Sequence, residues 1–175
     1  LNDDTIDEDS QTYNIVLSNP TNALFSDNIG IGTITDNDPA PVLSVSDTTL
    51  TEGGNATFVI SLDRQSERTV TFNWATSNGT AIAGTDYTAN SATGVVIPAL
   101  STSFNLSVLT LDDALDEVDE SFNVTISGNT NSTIADGVGS ATLTDNDLPP
   151  TMTIDDVTVT EGGIATFSVS LNQVS

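Results

Sequence analysis

Ala56, Phe58, Ile60 and Leu62 alternate with Thr57, Val59 and Ser61, and a period of two puts every second side chain on one face of an extended chain. The same period runs through Val70, Phe72 and Trp74, through Phe104, Leu106 and Val108, and through Phe122, Val124 and Ile126. Thr and Ser fill most of the intervening positions, which suits half-buried strands rather than helices. No stretch sustains a period of 3.6. The pattern predicts seven strands, near 42–50, 55–62, 69–76, 93–97, 103–111, 121–127 and 138–144. Seven short strands separated by turn residues, in a stretch of ordinary domain size, read as an all-β, immunoglobulin-like, seven-stranded antiparallel β-sandwich. Trp74 is expected to fill the centre of its core, because a buried aromatic dominates the energetics of such a core.

The pattern also repeats. Thr33-Ile34-Thr35-Asp36-Asn37-Asp38 returns as Thr142-Leu143-Thr144-Asp145-Asn146-Asp147, an offset of 109 residues, and Thr51-Glu52-Gly53-Gly54 returns at the same offset as Thr160-Glu161-Gly162-Gly163. Ala165, Phe167, Val169 and Leu171 repeat the alternation of Ala56 to Leu62. A fixed period of this size indicates an array of like domains. Proline-bearing joints, Pro39-Ala40-Pro41 and Leu148-Pro149-Pro150, set the expected boundaries. Residues 1–38 are the C-terminal part of a preceding unit, 39–148 a complete unit, and 149–175 the N-terminal part of a following one. The chain therefore reads as a piece of a longer protein, with units held close by short, stiff joints.

Charge narrows the function. Twenty-five Asp and Glu face two basic residues, Arg64 and Arg68, for a net charge of −23 with no His. Such a surface excludes nucleic acid and anionic membranes as partners, since both require cations to displace counterions. No apolar run is long enough for direct membrane insertion. There is no Cys, which argues against a small disulfide-stapled secreted domain and fits an intracellular or a bacterial extracellular protein.

Strand direction then locates the acids. If strands alternate up and down, the first, third, fifth and seventh end at one pole, and the segments leaving them carry Glu52, then Asp86, then Asp112, Asp113, Asp116, Glu117, Asp119 and Glu120, then Asp145 and Asp147. The opposite pole holds both arginines. At an effective dielectric of about 20, two carboxylates about 4 Å apart repel by about 4 kcal/mol. A multivalent cation is the natural counter-charge, and all-oxygen ligation without His or Cys selects a hard ion, Ca²⁺ or Mg²⁺. Ligands from several separate loops suit calcium, which accepts six to eight oxygens in irregular geometry.

These motifs resemble the Calx-beta domain family. The resemblance rests on Leu50-Thr51-Glu52-Gly53-Gly54, on Asn78-Gly79-Thr80 leading to Gly84-Thr85-Asp86-Tyr87, on Leu111-Asp112-Asp113 with Glu117, Glu120 and Phe122, and on the closing Thr142-Leu143-Thr144-Asp145-Asn146-Asp147. It implies tandem calcium-binding β-sandwich modules, with Ca²⁺ held by Glu52, Asp86, Asp112, Asp113, Glu117, Glu120, Asp145 and Asp147. Asn146 stands where calcium-sensing members carry a third acid, and Gln11 replaces the counterpart of Glu120 in residues 1–38. Residues 149–175 keep only Glu161 of the set, so no complete site is expected there.

Catalysis is not expected. There is no His to serve as a base, no Cys nucleophile and no G-x-S-x-G elbow. Two non-enzymatic functions stand open. One is a calcium-rigidified spacer in a large bacterial cell-surface or secreted, adhesin-like protein, whose partners are calcium ions and neighbouring modules. The other is a regulatory calcium sensor attached to a membrane transporter or signalling protein. The sequence names no adhesive target.

Overall fold

The computed structural model describes residues 3–174. Among them every regular element is a strand: β1 (Gln11–Val16), β2 (Ile29–Ile34), β3 (Val42–Val45), β4 (Thr48–Thr51), β5 (Asn55–Leu62), β6 (Val70–Asn78), β7 (Ser91–Ile97), β8 (Ser103–Leu109), β9 (Glu120–Thr130), β10 (Thr133–Asp136), β11 (Val138–Thr144), β12 (Met152–Ile154) and β13 (Val169–Leu171). β3 to β11 form a sandwich of two sheets, in the orders β10-β3-β5-β8 and β4-β11-β9-β6-β7. β1–β2 and β12–β13 are separate antiparallel hairpins on either side of it in the chain. No helix among the described residues is long and apolar enough to cross a membrane.

The alternating residues face inward as their period requires. Phe58, Phe72, Phe122 and Tyr87 are all but fully buried. Phe122 is the hub: Phe58 meets it edge-on at 6.0 Å, and Tyr87 stacks on it at 4.2 Å. Burying each such ring is worth about 1.5–3 kcal/mol. Trp74 is buried but keeps 8% of its surface exposed, so the Phe58–Phe122–Tyr87 group fills the centre in its place. Tyr87 sits in the loop after β6 and also donates a hydrogen bond to Asn78 Oδ1 at 2.6 Å. It thereby ties the loop that carries Asp86 to the core.

Beyond shifts of one or two residues at strand ends, the prediction departs from the structure in three places. The strand expected over 42–50 is two strands, because the chain changes sheet at Ser46-Asp47. β3 pairs antiparallel with β5 and parallel with β10, whereas β4 pairs parallel with β11. The crossover is held by Ser46 N–H on Val59 O at 3.0 Å and by Ser140 N–H on Asp47 Oδ1 at 2.8 Å. It passes so close to β11 that a Cβ on Gly139 would lie 2.6 Å from Ser46 O. The strand expected to end at 127 runs on to Thr130. A turn with Asn131 at a φ of 52° then leads into β10, which the pattern did not predict.

Candidate metal centre

Backbone hydrogen bonds draw the acidic segments to one end of the sandwich. Glu52 N–H donates to Thr144 O at 3.2 Å, which sets the turn after β4 beside the exit of β11. Thr110 N–H donates to Gly54 O, and Leu111 N–H donates to Asp86 O, each at 2.9 Å. Asp86 is aimed by its own loop, its Oδ2 accepting from Ile82 N–H at 2.6 Å. Gly53 has a φ of +79°, and a Cβ there would stand 2.8 Å from Asp112 Cβ. Glycine is required at this point by the turn and again by the acid packed over it.

Six of the eight family positions form two compact groups. Carboxylate oxygens of Glu52, Asp145 and Asp147 all lie within 4.8 Å of one another, as do those of Asp86, Glu117 and Glu120. A small cavity lined by Glu52, Asp86, Glu117, Glu120 and Asp145 joins the two groups. Glu52 Oε1 and Asp147 Oδ2 are buried and meet no hydrogen-bond donor. A buried carboxylate oxygen without a donor is costly, and a cation is the partner that repairs it.

Protonation follows from this crowding. Partial burial pushes Glu120 up to about 7, aided by a hydrogen bond with Asp86 and by the charges of Asp86, Glu117 and Glu52. Burial also raises Glu52, against a hydrogen bond from the Asn146 backbone and with the charges of Asp145 and Asp112. Asp147 is raised by loss of hydration, then by Asp145, Asp112 and Asp113. Each shift reflects loss of hydration first and crowded negative charge second, and the all-carboxylate donor set fits a hard divalent ion.

Asp112 and Asp113 lie at the same end but outside both compact groups. Asp112 Oδ1 accepts from Asn146 Nδ2 at 3.0 Å, so the amide that stands at the third-acid position is a hydrogen-bond donor to its neighbour. Asp113 Oδ1 accepts from Leu115 N–H at 2.8 Å and shapes the loop. In the N-terminal segment Asp3, Asp4, Glu8, Asp36 and Asp38 line a second cavity of about 310 Å³ together with Gln11. Gln11 Nε2 reaches Glu8 Oε2 at 3.5 Å, again an amide among acids. Glu161 is exposed on the C-terminal hairpin. Asp155 there accepts from Ser168 N–H of its own hairpin at 2.7 Å.

The arginines are where the sequence reading was least complete. Among the described residues Arg64 pairs only with adjacent Asp63, at 3.1 Å. Arg68 reaches out of the sandwich to the N-terminal segment: to Asp7 at 3.5 Å, to Asp9 at 2.8 Å and to Glu8 O at 2.6 Å. Asp7 is 3% exposed and also accepts from Ser66 Oγ at 2.6 Å, while Glu67 N–H donates to Asp7 O at 2.9 Å.

Comparison with known proteins bears on the fold and the family. The family model of the Calx-beta domain matches residues 36–148. Among solved structures, the apo-form Calx CBD1 domain is similar with a TM-score of 0.57 at 17% identity, over 62% of this chain and 99% of that one. CBD12 from CALX1.2 is similar with a TM-score of 0.57 at 18% identity, over 61% of this chain and 46% of that one. The calcium binding domain CBD12 of CALX1.1 gives 0.54 at 19% identity, over 62% and 46%. The match thus spans under half of each CBD12 structure, and at these identities the likeness is one of fold. No curated protein sequence matches the chain. With its all-β sandwich and a match over more than half its length, this chain belongs to the Calx-beta domain family.

Proposed function

We propose that the chain binds calcium at the acidic end of the sandwich and serves as a calcium-rigidified spacer within a tandem array, in a large bacterial cell-surface or secreted protein. The observation that carries calcium binding is the pair of buried, donorless oxygens, Glu52 Oε1 and Asp147 Oδ2, within a carboxylate cluster that has no basic side chain beside it. Glu52, Asp145 and Asp147 would hold one ion. Asp86, Glu117 and Glu120 would hold another, with Asp112 and Asp113 completing the set from the loop. The bound ion supplies positive charge and fixes the loops, and no catalytic step is assigned to it. A non-enzymatic role belongs to this proposal, since the chain offers no His or Cys to act as base or nucleophile.

The spacer role is supported by the 109-residue repeat and by the contact of Asp7 with Ser66 and Arg68, which joins the N-terminal acidic segment to the sandwich. The competing reading, a regulatory sensor in a transporter or signalling protein, is favoured by one observation: the likeness in fold to a structure described as the calcium binding domain CBD12 of CALX1.1. Affinity separates the two. A spacer holds calcium at extracellular concentrations with dissociation constants of about 10⁻⁴–10⁻³ M, whereas a sensor needs about 10⁻⁷–10⁻⁵ M.

The test is a thermal melt in EDTA and across a calcium series, with magnesium as control. Calcium at about 100 times its dissociation constant adds about 2.7 kcal/mol per site. A calcium-specific rise in Tm that Asp145→Asn reduces is the expected result. An equal rise with any salt would reduce the cluster to a screened acidic surface.

A further inference from the structure

Four strand edges border the complete sandwich, and three are blunted. β7 carries a bulge opposite Phe72–Trp74, a glycine at a φ of 63° (Gly94), and stops before Pro98. β10 is four residues long, irregular between Ile134 and Asp136, and ends in an acid. β4 is also only four residues long. β8 has none of these devices. Its seven residues, Ser103 to Leu109, pair with β5 in unbroken register and contain no charge, no proline and no glycine. Such an edge is a template for another strand.

The direction of its peptide groups is fixed by two bonds. Thr102 O accepts from Leu62 N–H, so the even-numbered residues face β5. Leu109 O accepts from Thr88 N–H on the other side, so the odd-numbered residues face away. Beyond that one bond, the N–H and C=O groups of Ser103, Asn105 and Ser107 meet no partner among the described residues. All three side chains are exposed.

We propose that β8 pairs antiparallel with β8 of a second copy of this chain, about a two-fold axis at Asn105. Ser103 then lies opposite Ser107 of the second copy and Asn105 opposite Asn105. Each pair exchanges N–H and C=O bonds, and the two four-stranded sheets become one continuous sheet. Charge selects the occupant. Ten of the 25 acids lie in the segments at one end of the sandwich, while this edge is neutral. A basic partner would be drawn to the acidic end instead. Antiparallel pairing sends the two acidic ends of the sandwiches in opposite directions, so two strongly acidic copies meet along their uncharged flanks.

The experiment is sedimentation velocity of the full 175-residue chain over a concentration series in calcium. The wild type is expected to show a dimer that dissociates on dilution. Asn105→Pro removes an outward N–H without touching the β5 ladder, since proline is tolerated where an edge N–H faces solvent. Asn105→Lys places two like charges directly opposite each other across the axis. Each is expected to weaken the dimer by more than about tenfold while Tm changes little. The chain has no cysteine, so Asn105→Cys is expected to give an oxidised dimer that Thr125→Cys, exposed on β9 of the other sheet, does not. A chain that stays monomeric overturns the proposal and leaves the edge to a foreign extended strand. A dimer untouched by both β8 variants overturns it too, as does equal cross-linking from Thr125→Cys.

Discussion

Glu120 concentrates the chemistry of this protein in one side chain. Its carboxyl titrates near 7, against an ordinary value of 4.5. Between those values the metal-free folded state holds a proton that the unfolded state has released. The associated stability is fully present below pH 4.5 and is lost as pH rises through about 7. Melts in EDTA should therefore show Tm falling from about pH 5 to about pH 8, and Glu120→Gln should flatten that fall and raise Tm at the upper end. In saturating calcium the order reverses, because the variant loses a ligand charge. An EDTA profile that rises over the same range would mean the carboxylates are not crowded. Gly53 gives a second test at this scale. Gly53 and Gly84 both have positive φ, but only at Gly53 would a Cβ strike another residue, Asp112. Both alanine variants should lose about 1 kcal/mol to backbone strain, and Gly53→Ala should also weaken calcium binding more than Gly84→Ala. Calcium titrations of the two variants side by side read the difference.

Among the elements, the change of sheet between β3 and β4 organises the acidic end, because β4 delivers Glu52 beside β11. Asp47 holds that crossover through Ser140 N–H. Asp47→Ala should cost about 1 kcal/mol, read as a lower urea midpoint with an unchanged slope. The split itself was legible in hindsight. Leu43 and Val45 face the core at odd positions, whereas Leu50 packs on it from an even one, so the parity of the pattern shifts within the predicted strand. β10 gave no such sign, since Ile134 is its one apolar residue packed on the core. Where alternation was unbroken, as in β5, β6, β8 and β9, the sequence pattern located the strands and their buried faces. It also located the acidic end, because strand direction follows from counting turns. The division into two groups of three could not be read that way. It depends on how the loop after β6 aims Asp86 through Ile82 N–H, and on Asn146 drawing Asp112 aside. Those are contacts between loops, and loops carry no period.

For the whole molecule, the contact of Arg68 with the N-terminal segment decides how firmly the parts are joined. Asp7 is a nearly buried carboxylate whose charge is met by Arg68 and whose Oδ2 accepts from Ser66 Oγ. Removing the cation from a buried pair costs about 3–5 kcal/mol, and the 33% exposure of Arg68 reduces that to about 1–3 kcal/mol here. The cost should fall on the joint and not on the sandwich, because Arg68 takes no part in the core. Arg68→Ala is therefore expected to increase the radius of gyration in small-angle scattering and to speed amide exchange at Glu67, while Tm of the sandwich holds. Arg64→Ala is the matched control: Arg64 pairs with its exposed neighbour Asp63, and such surface pairs are worth about 0–1 kcal/mol. Adding Asp7→Asn to Arg68→Ala should recover part of the compactness by removing the unpaired charge. Scattering curves of the two arginine variants that superpose would show that Arg68 does not hold the joint, and would remove the main structural support for a rigid spacer.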